Sequence, residues 1–281
     1  MRILGIVTLF NPPEAFLENV MSYAPHVNGL YLWDNTPGLG AQLSLPADIS
    51  AKVACRRQGR NVGIARALNA AAAFALEKGY THLLTMDQDS RFAPGTFENY
   101  LRAIEADDDP LHYAFTPLIN RPAVADGEVV ESGGMIVSGT VFKASCLRET
   151  GLFKEEFVID TIDTEYLLRI RRRGGKVMQV PAGSLVHELG HPLCRRFLCF
   201  RPVSLNYPPI RTFYIARNML YLQRAYPEYR RKDLMKKLVW ERPLYILFME
   251  ADKWDKLVAW VRGVWLGLRG RLKPDPYYRR L

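Results

Sequence analysis

A short apolar run that ends in two carboxylates constrains this chain more than any other stretch. Leu83–Met86 is typical of a buried strand, and Asp87, Gln88 and Asp89 follow where that strand would leave its sheet. Because side chains alternate along a strand, Asp87 and Asp89 should point the same way. Paired carboxylates repel each other unless a cation joins them. The motif therefore predicts a site for Mg²⁺ or Mn²⁺, with a solvated turn as the alternative.

The first 120 residues alternate strand signals with helix signals. Strands are predicted at Ile3–Thr8, Gly29–Trp33 and Lys52–Cys55, with a further strand ending at Asp87. Helices are predicted from Pro12 to about Tyr23 and, rich in alanine, at Ile64–Lys78. Strands separated by helices predict right-handed crossovers and a mainly parallel central sheet flanked by helices. The predicted fold class is therefore α/β. The carboxyl ends of its strands should meet at one edge, where such sheets bind ligands.

The chain changes character towards its end. A helix at Asp163–Arg173 and strands at His112–Ile119, Gly134–Val141 and Lys176–Val180 continue the sheet pattern. Only helices follow, at Arg211–Tyr226, Tyr229–Trp240 and Lys253–Leu268. We therefore predict an α/β domain over residues 1–210 and a helical, basic C-terminal region over residues 211–281.

The net charge of +9 is concentrated in the C-terminal third. Residues 1–194 hold 18 basic and 22 acidic side chains, whereas residues 195–281 hold 20 and 7. This asymmetry predicts an anionic partner, such as a membrane surface, a lipid diphosphate or a nucleic acid. The last helix suits either a membrane interface or packing on the first domain. Its apolar stripe comprises Trp254, Leu257, Val258, Val261, Val264, Trp265 and Leu268.

Composition and cysteine usage indicate an intracellular globular protein. Apolar residues make up 48% of the chain and charged residues 24%. The four cysteines are too few and too scattered for a disulfide framework. We expect no signal peptide, because the apolar run Ile3–Val7 is too short to be the core of one. No apolar run approaches the roughly 20 residues that span a bilayer. We therefore expect a cytoplasmic location.

Candidate ligand-binding side chains follow the first three predicted strands. Thr8, Phe10 and Asn11 follow the first, and the Phe10 ring offers a face on which a base can stack. Asp34 ends the second and can accept a hydrogen bond from a base N–H, while Arg60 follows the third and can meet phosphate. Each has an ordinary alternative as a core or turn residue. Their shared position at strand ends is what favours a binding site.

Three acids occur within six residues at Asp160, Asp163 and Glu165. Asp163 starts a predicted helix, whose N-terminus favours an ionised carboxylate. Such a group near a pocket can take a proton from a hydroxyl, an effect worth roughly 10²–10⁴ in rate. We therefore predict Asp163 as a general base, with an N-cap as the alternative. Glu165 is predicted to pair with Arg169 one helical turn later.

Taken in chain order, these motifs resemble those of the family 2 glycosyltransferases of the GT-A fold, most closely the bacterial rhamnosyltransferase branch. The match extends over nearly the whole chain. It is carried by Thr8–Pro12, Asp34-Asn35, Asn61–Ala65, Asn69, Met86–Ser90, Ser132–Gly134, Gly151–Phe153, Asp160–Arg169, His187–Gly190 and Tyr214–Asn218.

The resemblance implies an inverting transfer, most closely of L-rhamnose from dTDP-rhamnose to a hydroxyl of a glycan or a lipid-linked oligosaccharide. It implies that Asp163 is the catalytic base. It also implies that Asp87, Asp89 and His187 hold a Mg²⁺ or Mn²⁺ ion at the donor diphosphate. The residues that would bind the donor are Thr8, Phe10, Asn11, Asp34, Arg60, Gly63, Asp87, Asp89 and Arg217.

The resemblance also implies a peripheral location at the inner face of the cell membrane, reached through the C-terminal helices, and no nucleic-acid partner. The donor sugar has alternatives within the same fold, namely UDP-galactofuranose, UDP-glucose and a UDP-N-acetylhexosamine. The acceptor would belong to the synthesis of a surface polysaccharide such as an O-antigen.

Two alternatives come from other classes of protein. His187–His191 matches the H-E-x-x-H pattern of zinc proteases, but Gly190 and Pro192 disfavour the continuous helix that this pattern needs. His191 with Cys194 and Cys199 matches no established zinc-site spacing. The other alternative is a non-enzymatic basic protein that binds nucleic acid or membrane. Its binding would depend strongly on salt and would survive chelation of metal.

Overall fold

The computed structural model describes residues 1–38, 45–187, 193–194, 203–204 and 206–272. Within these residues the chain forms two compact units. The first holds residues 1–155 together with 162–187, and the second holds residues 156–161 together with the described residues from 193 onwards. The division at residues 210 and 211 suggested by the sequence stays a prediction.

The first unit is built on one nine-stranded sheet. Its strands are β1 (Ile3–Leu9), β2 (Gly29–Asp34), β3 (Val53–Arg57), β4 (His82–Asp87), β5 (Ser90–Phe92), β6 (His112–Ile119), β7 (Val130–Glu131), β8 (Thr140–Lys143) and β9 (Lys176–His187). The order is β3-β2-β1-β4-β8-β6-β9-β5, with β7 added to β9. All strands except β5, β7 and β8 run in the same direction, so the predicted mainly parallel α/β sheet is confirmed.

Six helices accompany this sheet among the described residues: α1 (Phe16–Met21), α2 (Ala47–Ser50), α3 (Ile64–Glu77), α4 (Thr96–Glu105), α5 (Ala144–Thr150) and α6 (Ile162–Arg172). The alanine-rich α3 buries Ala65, Leu68, Ala71 and Ala75 on one face and lies against β1 and β4. Small side chains at this spacing allow a helix to approach a sheet closely. The apolar residues of β1, β2 and β4 form the centre of the core.

The strand register brings the predicted binding residues to one edge of the sheet. Thr8 lies opposite Asp87, and Leu9 lies opposite Asp34. Asp34 in turn lies opposite Arg57 at the end of β3. Because β1 to β4 are parallel neighbours, their carboxyl ends share this edge. The predicted meeting of these strand ends at one edge is therefore confirmed, while the binding roles of their side chains stay a prediction.

Among the described residues of the second unit, the regular structure is helical apart from the short pair β10 (Leu193–Cys194) and β11 (Val203–Ser204). Its helices are α7 (Pro209–Ala225), α8 (Lys232–Lys236), α9 (Arg242–Met249) and α10 (Lys253–Leu268), with a π-helical turn at Lys237–Glu241. A Cβ on Gly263 would lie only 2.5 Å from the Phe213 carbonyl oxygen, and one on Gly267 only 2.7 Å from that of Arg217. Glycines therefore allow α10 to pack directly on the backbone of α7. None of the described helices combines the length and apolarity needed to cross a bilayer.

Three sequence predictions of local structure are wrong. The helix expected from Pro12 to Tyr23 covers only Phe16–Met21. The strand expected at Gly134–Val141 starts at Thr140, because Gly139 takes the left-handed φ of +80° and breaks the extended run. The helix expected at Tyr229–Trp240 begins only at Lys232 and does not end at Trp240, because α8, the π-helical turn and α9 follow one another without a gap as far as Met249. Three helices of the first unit were not predicted, α2, α4 and α5.

Candidate active site

Asp87, Asp89 and His187 form a cluster at the carboxyl end of β4. Their ligand atoms all lie within 4.8 Å of one another. β4 ends at Asp87, and the chain turns at Gln88 and Asp89 into β5, which pairs with β9 so that Ser90 lies opposite His187. The side chain of Asp89 is 45% exposed and that of His187 18%. The cluster is therefore open to a cation from solvent.

Neighbouring polar groups fix the geometry of this cluster. The Ser90 hydroxyl lies 2.7 Å from Nδ1 of His187 and donates to Oδ1 of Asp89 at 3.3 Å. The Asn120 amide clamps the His187 backbone, because its Oδ1 accepts from the His187 N–H at 3.0 Å and its Nδ2 donates to the His187 carbonyl at 2.9 Å. Oγ of Ser138 accepts from the Asp87 N–H at 3.0 Å. Such partners orient metal ligands before the metal arrives.

Gln88 connects the cluster to the loop after β1. Its Oε1 accepts from the Phe10 N–H at 2.8 Å, and its Nε2 donates to the Phe10 carbonyl at 3.1 Å. Nδ2 of Asn19 donates to the Gln88 carbonyl at 2.9 Å. The middle residue of the Asp-Gln-Asp triplet therefore holds the Phe10 loop in place, a role that the sequence analysis did not assign.

The predicted base-binding residues lie around the ends of β1 and β2. Phe10 is 45% exposed, so part of the residue is open to a ligand. Asp34 is buried; its Oδ1 accepts from the Thr36 N–H at 2.9 Å, and its Oδ2 lies 3.5 Å from Nε of Arg57. The Asn11 N–H donates to Oγ1 of Thr36 at 2.8 Å. These contacts order both loops at the edge where β1 ends, one residue after Thr8.

The loop before α3 is held by Asn35. Its Oδ1 accepts from the Val62 N–H at 3.2 Å, and its Nδ2 donates to the Gly63 carbonyl at 3.4 Å. Gly63 has a φ of +87°, a conformation that favours glycine, and it precedes the first turn of α3. Arg60 is exposed in the same loop. A helix start of this kind presents backbone N–H groups that suit a phosphate.

Asp163 lies in the first turn of α6 and is half-buried. Its Oδ1 accepts from the Thr164 N–H at 2.7 Å, which fixes the orientation of the carboxylate. Glu165 is buried and pairs with Nε of Arg169 at 2.9 Å and with Nζ of Lys154 at 3.0 Å. The predicted structural pairing of Glu165 with Arg169 is therefore confirmed.

The residues just before α6 belong to the second unit, where side chains of α7 bind them through hydrogen bonds. Asp160 and Thr161 both have the left-handed φ of +62° that is rare for non-glycine residues. Arg211 holds the Asp160 carboxylate from Nε at 3.0 Å and from Nη2 at 2.9 Å, while Nδ2 of Asn218 donates to the Asp160 carbonyl. Burial raises the pKa of Asp160 despite the opposing effect of the Arg211 guanidinium. These contacts hold an otherwise unfavourable backbone.

The structure points to a different role for Arg217 than donor binding. The residue is fully buried in the second unit. Its guanidinium donates to Oδ1 of Asn218, to the Leu272 carbonyl at 2.9 Å and to the Glu156 carbonyl. Burial lowers its pKa to about 10. With its nitrogens used by these acceptors, Arg217 serves to join segments of the second unit.

The alternative zinc sites suggested by the sequence can be checked only where the structure describes their residues. Among the described residues, no cluster of three potential metal ligands occurs besides Asp87, Asp89 and His187. The zinc hypotheses involve Glu188, His191 and Cys199, which lie outside the described residues. A cavity of about 460 Å³ adjoins β6; its lining includes the matched segment Ser132–Gly134 and also Ile119, the residue before Asn120.

The sequence of this chain matches one protein-family model and one characterised relative described below. A family model described as glycosyl transferase family 2 matches residues 34–122. The dTDP-rhamnosyl transferase RfbF of Shigella flexneri is 30% identical over 247 residues, covering 79% of this chain and 80% of that protein.

Solved structures share the fold at low sequence identity. TarS residues 1–349 from S. aureus match with a TM-score of 0.54 and 12% identity, covering 94% of this chain and 81% of that one. GalNAc-T7 in complex with UDP, GalNAc and Mn²⁺ matches with a TM-score of 0.53 and 15% identity, covering 66% of this chain and 44% of that one. The expected GT-A fold is confirmed by these likenesses.

Proposed function

We propose that this chain, which belongs to the family 2 glycosyltransferases in their rhamnosyltransferase branch, transfers L-rhamnose from dTDP-rhamnose to a hydroxyl of a glycan or lipid-linked acceptor. Family membership sets aside zinc proteolysis and a non-enzymatic binding role. The dTDP-rhamnose donor is supported by the likeness to a dTDP-rhamnosyl transferase. The observation that carries the proposal is the cluster of Asp87, Asp89 and His187 at the ligand-binding edge of the sheet.

The cluster fits a divalent cation. Two carboxylates and an imidazole suit Mn²⁺, and the carboxylates suit Mg²⁺. The GalNAc-T7 structure of the same fold contains Mn²⁺ together with UDP. Without a cation, Asp87 and Asp89 would repel the donor diphosphate. When bound, the cation neutralises charge on the departing diphosphate.

Phe10 and Asp34 are proposed to hold the base of the donor. The exposed ring of Phe10 offers a stacking face, and the buried Asp34 carboxylate offers an acceptor for a base N–H. Thr8 and Asn11 lie at the same strand ends. On the phosphate side, we propose contacts from Arg60 and from the backbone at Gly63.

Asp163 is proposed as the general base. Its position at the start of α6 favours the ionised carboxylate, which is then ready to accept a proton. The acceptor hydroxyl gives its proton to Asp163, and its oxygen attacks the anomeric carbon from the face opposite the diphosphate. The bond from the anomeric carbon to the diphosphate breaks, dTDP leaves, and the configuration inverts.

A second part of the proposal is contact with the inner face of the cell membrane through α10. One face of α10 carries five apolar residues that are each at least 50% exposed, here named the exposed stripe: Trp254, Val258, Val261, Trp265 and Leu268. The opposite face packs on α7 through Gly263 and Gly267. An apolar, tryptophan-bearing face in a strongly basic region suits an anionic lipid surface.

Vesicle flotation tests the membrane contact. We expect Trp254→Ser combined with Trp265→Ser to reduce recovery of the full chain on vesicles that contain phosphatidylglycerol. Leu111→Ser combined with Val124→Ser alters two exposed apolar residues of the first unit and serves as the control. Equal recovery of both double variants and the wild type would contradict a role for the exposed stripe.

Thermal-shift measurements with nucleotide diphosphates test the donor and the metal together. We expect dTDP, written TDP from here on, to raise the melting temperature in the presence of Mn²⁺ more than UDP does. EDTA should remove the effect. A larger shift with UDP would favour UDP-galactofuranose, UDP-glucose or a UDP-N-acetylhexosamine as the donor. No shift with any nucleotide would contradict the proposed site.

A further inference from the structure

A cavity of about 730 Å³ lies within the second unit, bordered by α7, α8, the π-helical turn and the end of α10. This volume is in the range of small-molecule sites. Its lining contains five cationic side chains and no acidic one: Arg224, Arg230, Arg231, Lys232 and Lys236. No described residue of the donor site belongs to it. The concentration of positive charge predicts an anionic ligand.

The cationic lining is held in place by its own unit. The Arg231 N–H donates to Oε1 of Gln223 at 2.8 Å, and Nε2 of Gln223 donates to the Tyr229 carbonyl at 3.4 Å, so the loop carrying Arg230 is fixed to α7. Nη1 of Arg224 donates to the Leu268 carbonyl at 2.8 Å at the end of α10. A site arranged before binding loses less entropy when its ligand arrives.

Three of the five cations have no acidic ion-pair partner among the described residues, whereas a fourth has one. Arg231 pairs with Asp233 at 2.7 Å. Among the residues that the structure describes, by contrast, no acid forms an ion pair with Arg230, Lys232 or Lys236. Three neighbouring positive side chains repel one another, and a phosphate group relieves that repulsion while accepting their hydrogen bonds.

Apolar side chains form a second part of the cavity lining, here named the apolar floor: Met235, Val239, Trp240 and Leu268. Met235 and Val239 are half-buried within the lining. Trp240 and Leu268 line the same cavity and are 71% and 60% exposed, and Leu268 also ends the exposed stripe. A free phosphate would leave this floor in contact with water. A phosphate attached to a hydrocarbon chain would cover it.

We propose that this cavity binds the phosphate group of a lipid, with Arg230, Lys232 and Lys236 on the phosphate and the chain over Met235, Val239 and Trp240. Two sources supply this chemistry, a single-chain prenyl phosphate and a two-chain phospholipid. The inference extends the membrane part of the proposed function by naming the lipid group and its site. It does not depend on the donor or on the transfer reaction.

Isothermal titration of the full chain tests the site with farnesyl phosphate, dihexanoyl phosphatidic acid, farnesol and inorganic phosphate. We expect one or both lipid phosphates to bind at least about tenfold more tightly than inorganic phosphate and farnesol, because only they engage both the cations and the apolar floor. Preference between the two lipids identifies the source. Inorganic phosphate binding as tightly as both lipids would overturn the proposal.

Charge variants locate the site. We expect Arg230→Gln combined with Lys236→Gln to weaken lipid-phosphate binding about 30-fold. Lys237→Gln combined with Lys253→Gln removes the same charge from exposed residues of the same unit outside the cavity, and should leave the affinity within about threefold. Equal losses in the two double variants, or no loss in the first, would contradict a specific pocket.

Titration of TDP with Mn²⁺ into the same preparations separates this proposal from the donor site. Wild type and both double variants should bind the nucleotide equally. Absence of nucleotide binding to the wild type would count against the proposed transferase site and would leave the lipid result standing.

Discussion

Replacing Asn120 tests whether the clamp on His187 preorganises the metal cluster. The Asn120 side chain makes two hydrogen bonds to the backbone of His187, at 2.9 and 3.0 Å. Each is worth about 1 kcal/mol, so Asn120→Ala should release about 2 kcal/mol of local stabilisation at the end of β9. If all of it is needed to position His187, affinity for Mn²⁺ should fall by up to about 30-fold, within the range seen for partners of metal ligands.

A second variant separates the hydrogen bonds from the backbone conformation. Asn120 has a φ of +51°, which asparagine and glycine tolerate better than alanine. Asn120→Gly keeps this conformation accessible but removes the amide. We therefore expect Asn120→Gly to lose Mn²⁺ affinity nearly as strongly as Asn120→Ala, while losing less overall stability.

The assay is titration of Mn²⁺ into the protein with saturating TDP, accompanied by urea denaturation of each variant. Wild-type affinity in both variants would refute the reasoning that Asn120 positions His187. A loss in Asn120→Ala alone would show that backbone strain, and not the amide clamp, matters.

Three further predictions concern single residues. Asp163→Asn should lower kcat by about 10²-fold or more while TDP affinity stays unchanged; near-normal turnover would remove Asp163 from the mechanism. Burial and the charge of Lys143 lower the pKa of His82 to about 4. Because the unfolded chain binds this proton at a higher pH than the native state does, the free energy of unfolding should fall between pH 6.5 and pH 4, by at most about 3 kcal/mol. His82→Gln should flatten that decline, and an identical pH profile would contradict it. Gly263→Ala should cost about 1–3 kcal/mol in urea denaturation, because its methyl group meets the Phe213 carbonyl, whereas Val261→Ala on the exposed face should cost little.

Elements with a strong local pattern could be predicted from the sequence. The bounds of β6 and α10 agree with the expectation, and α3 differs by one residue at its end. Hydrophobic periodicity and an alanine-rich run are local signals. β5 and β8 were missed or misplaced because their pairing partners, β9, β4 and β6, lie far away in sequence, and short strands carry little signal of their own.

The sequence analysis named the three members of the candidate metal cluster but not the way in which they meet. Asp87 and Asp89 meet through a turn after β4 and not through alternation along one strand, because β4 ends at Asp87. His187 was included through family resemblance, since nearly 100 residues separate it from Asp89 and β9 extends seven residues beyond its predicted end.

The supporting contacts could not be predicted. They are hydrogen bonds between residues distant in sequence, which no local sequence pattern predicts. The residues that make them are Gln88, Ser90, Asn120 and Ser138. A weak signal existed for Asn120, because an asparagine directly after a strand often takes a left-handed turn conformation. The burial of Arg217 had no such signal, since an arginine on a helix is usually exposed.

The proposed function requires that Asp87, Asp89 and His187 hold a divalent cation at the diphosphate of the sugar donor. Its most direct test is the affinity of TDP for wild type and for Asp89→Asn, each titrated with Mn²⁺ and with EDTA. We predict that wild-type binding requires Mn²⁺ and that Asp89→Asn weakens it at least about 100-fold, more than the loss of a supporting partner would. Binding of TDP with equal affinity in EDTA, or to Asp89→Asn in Mn²⁺, would contradict the claim.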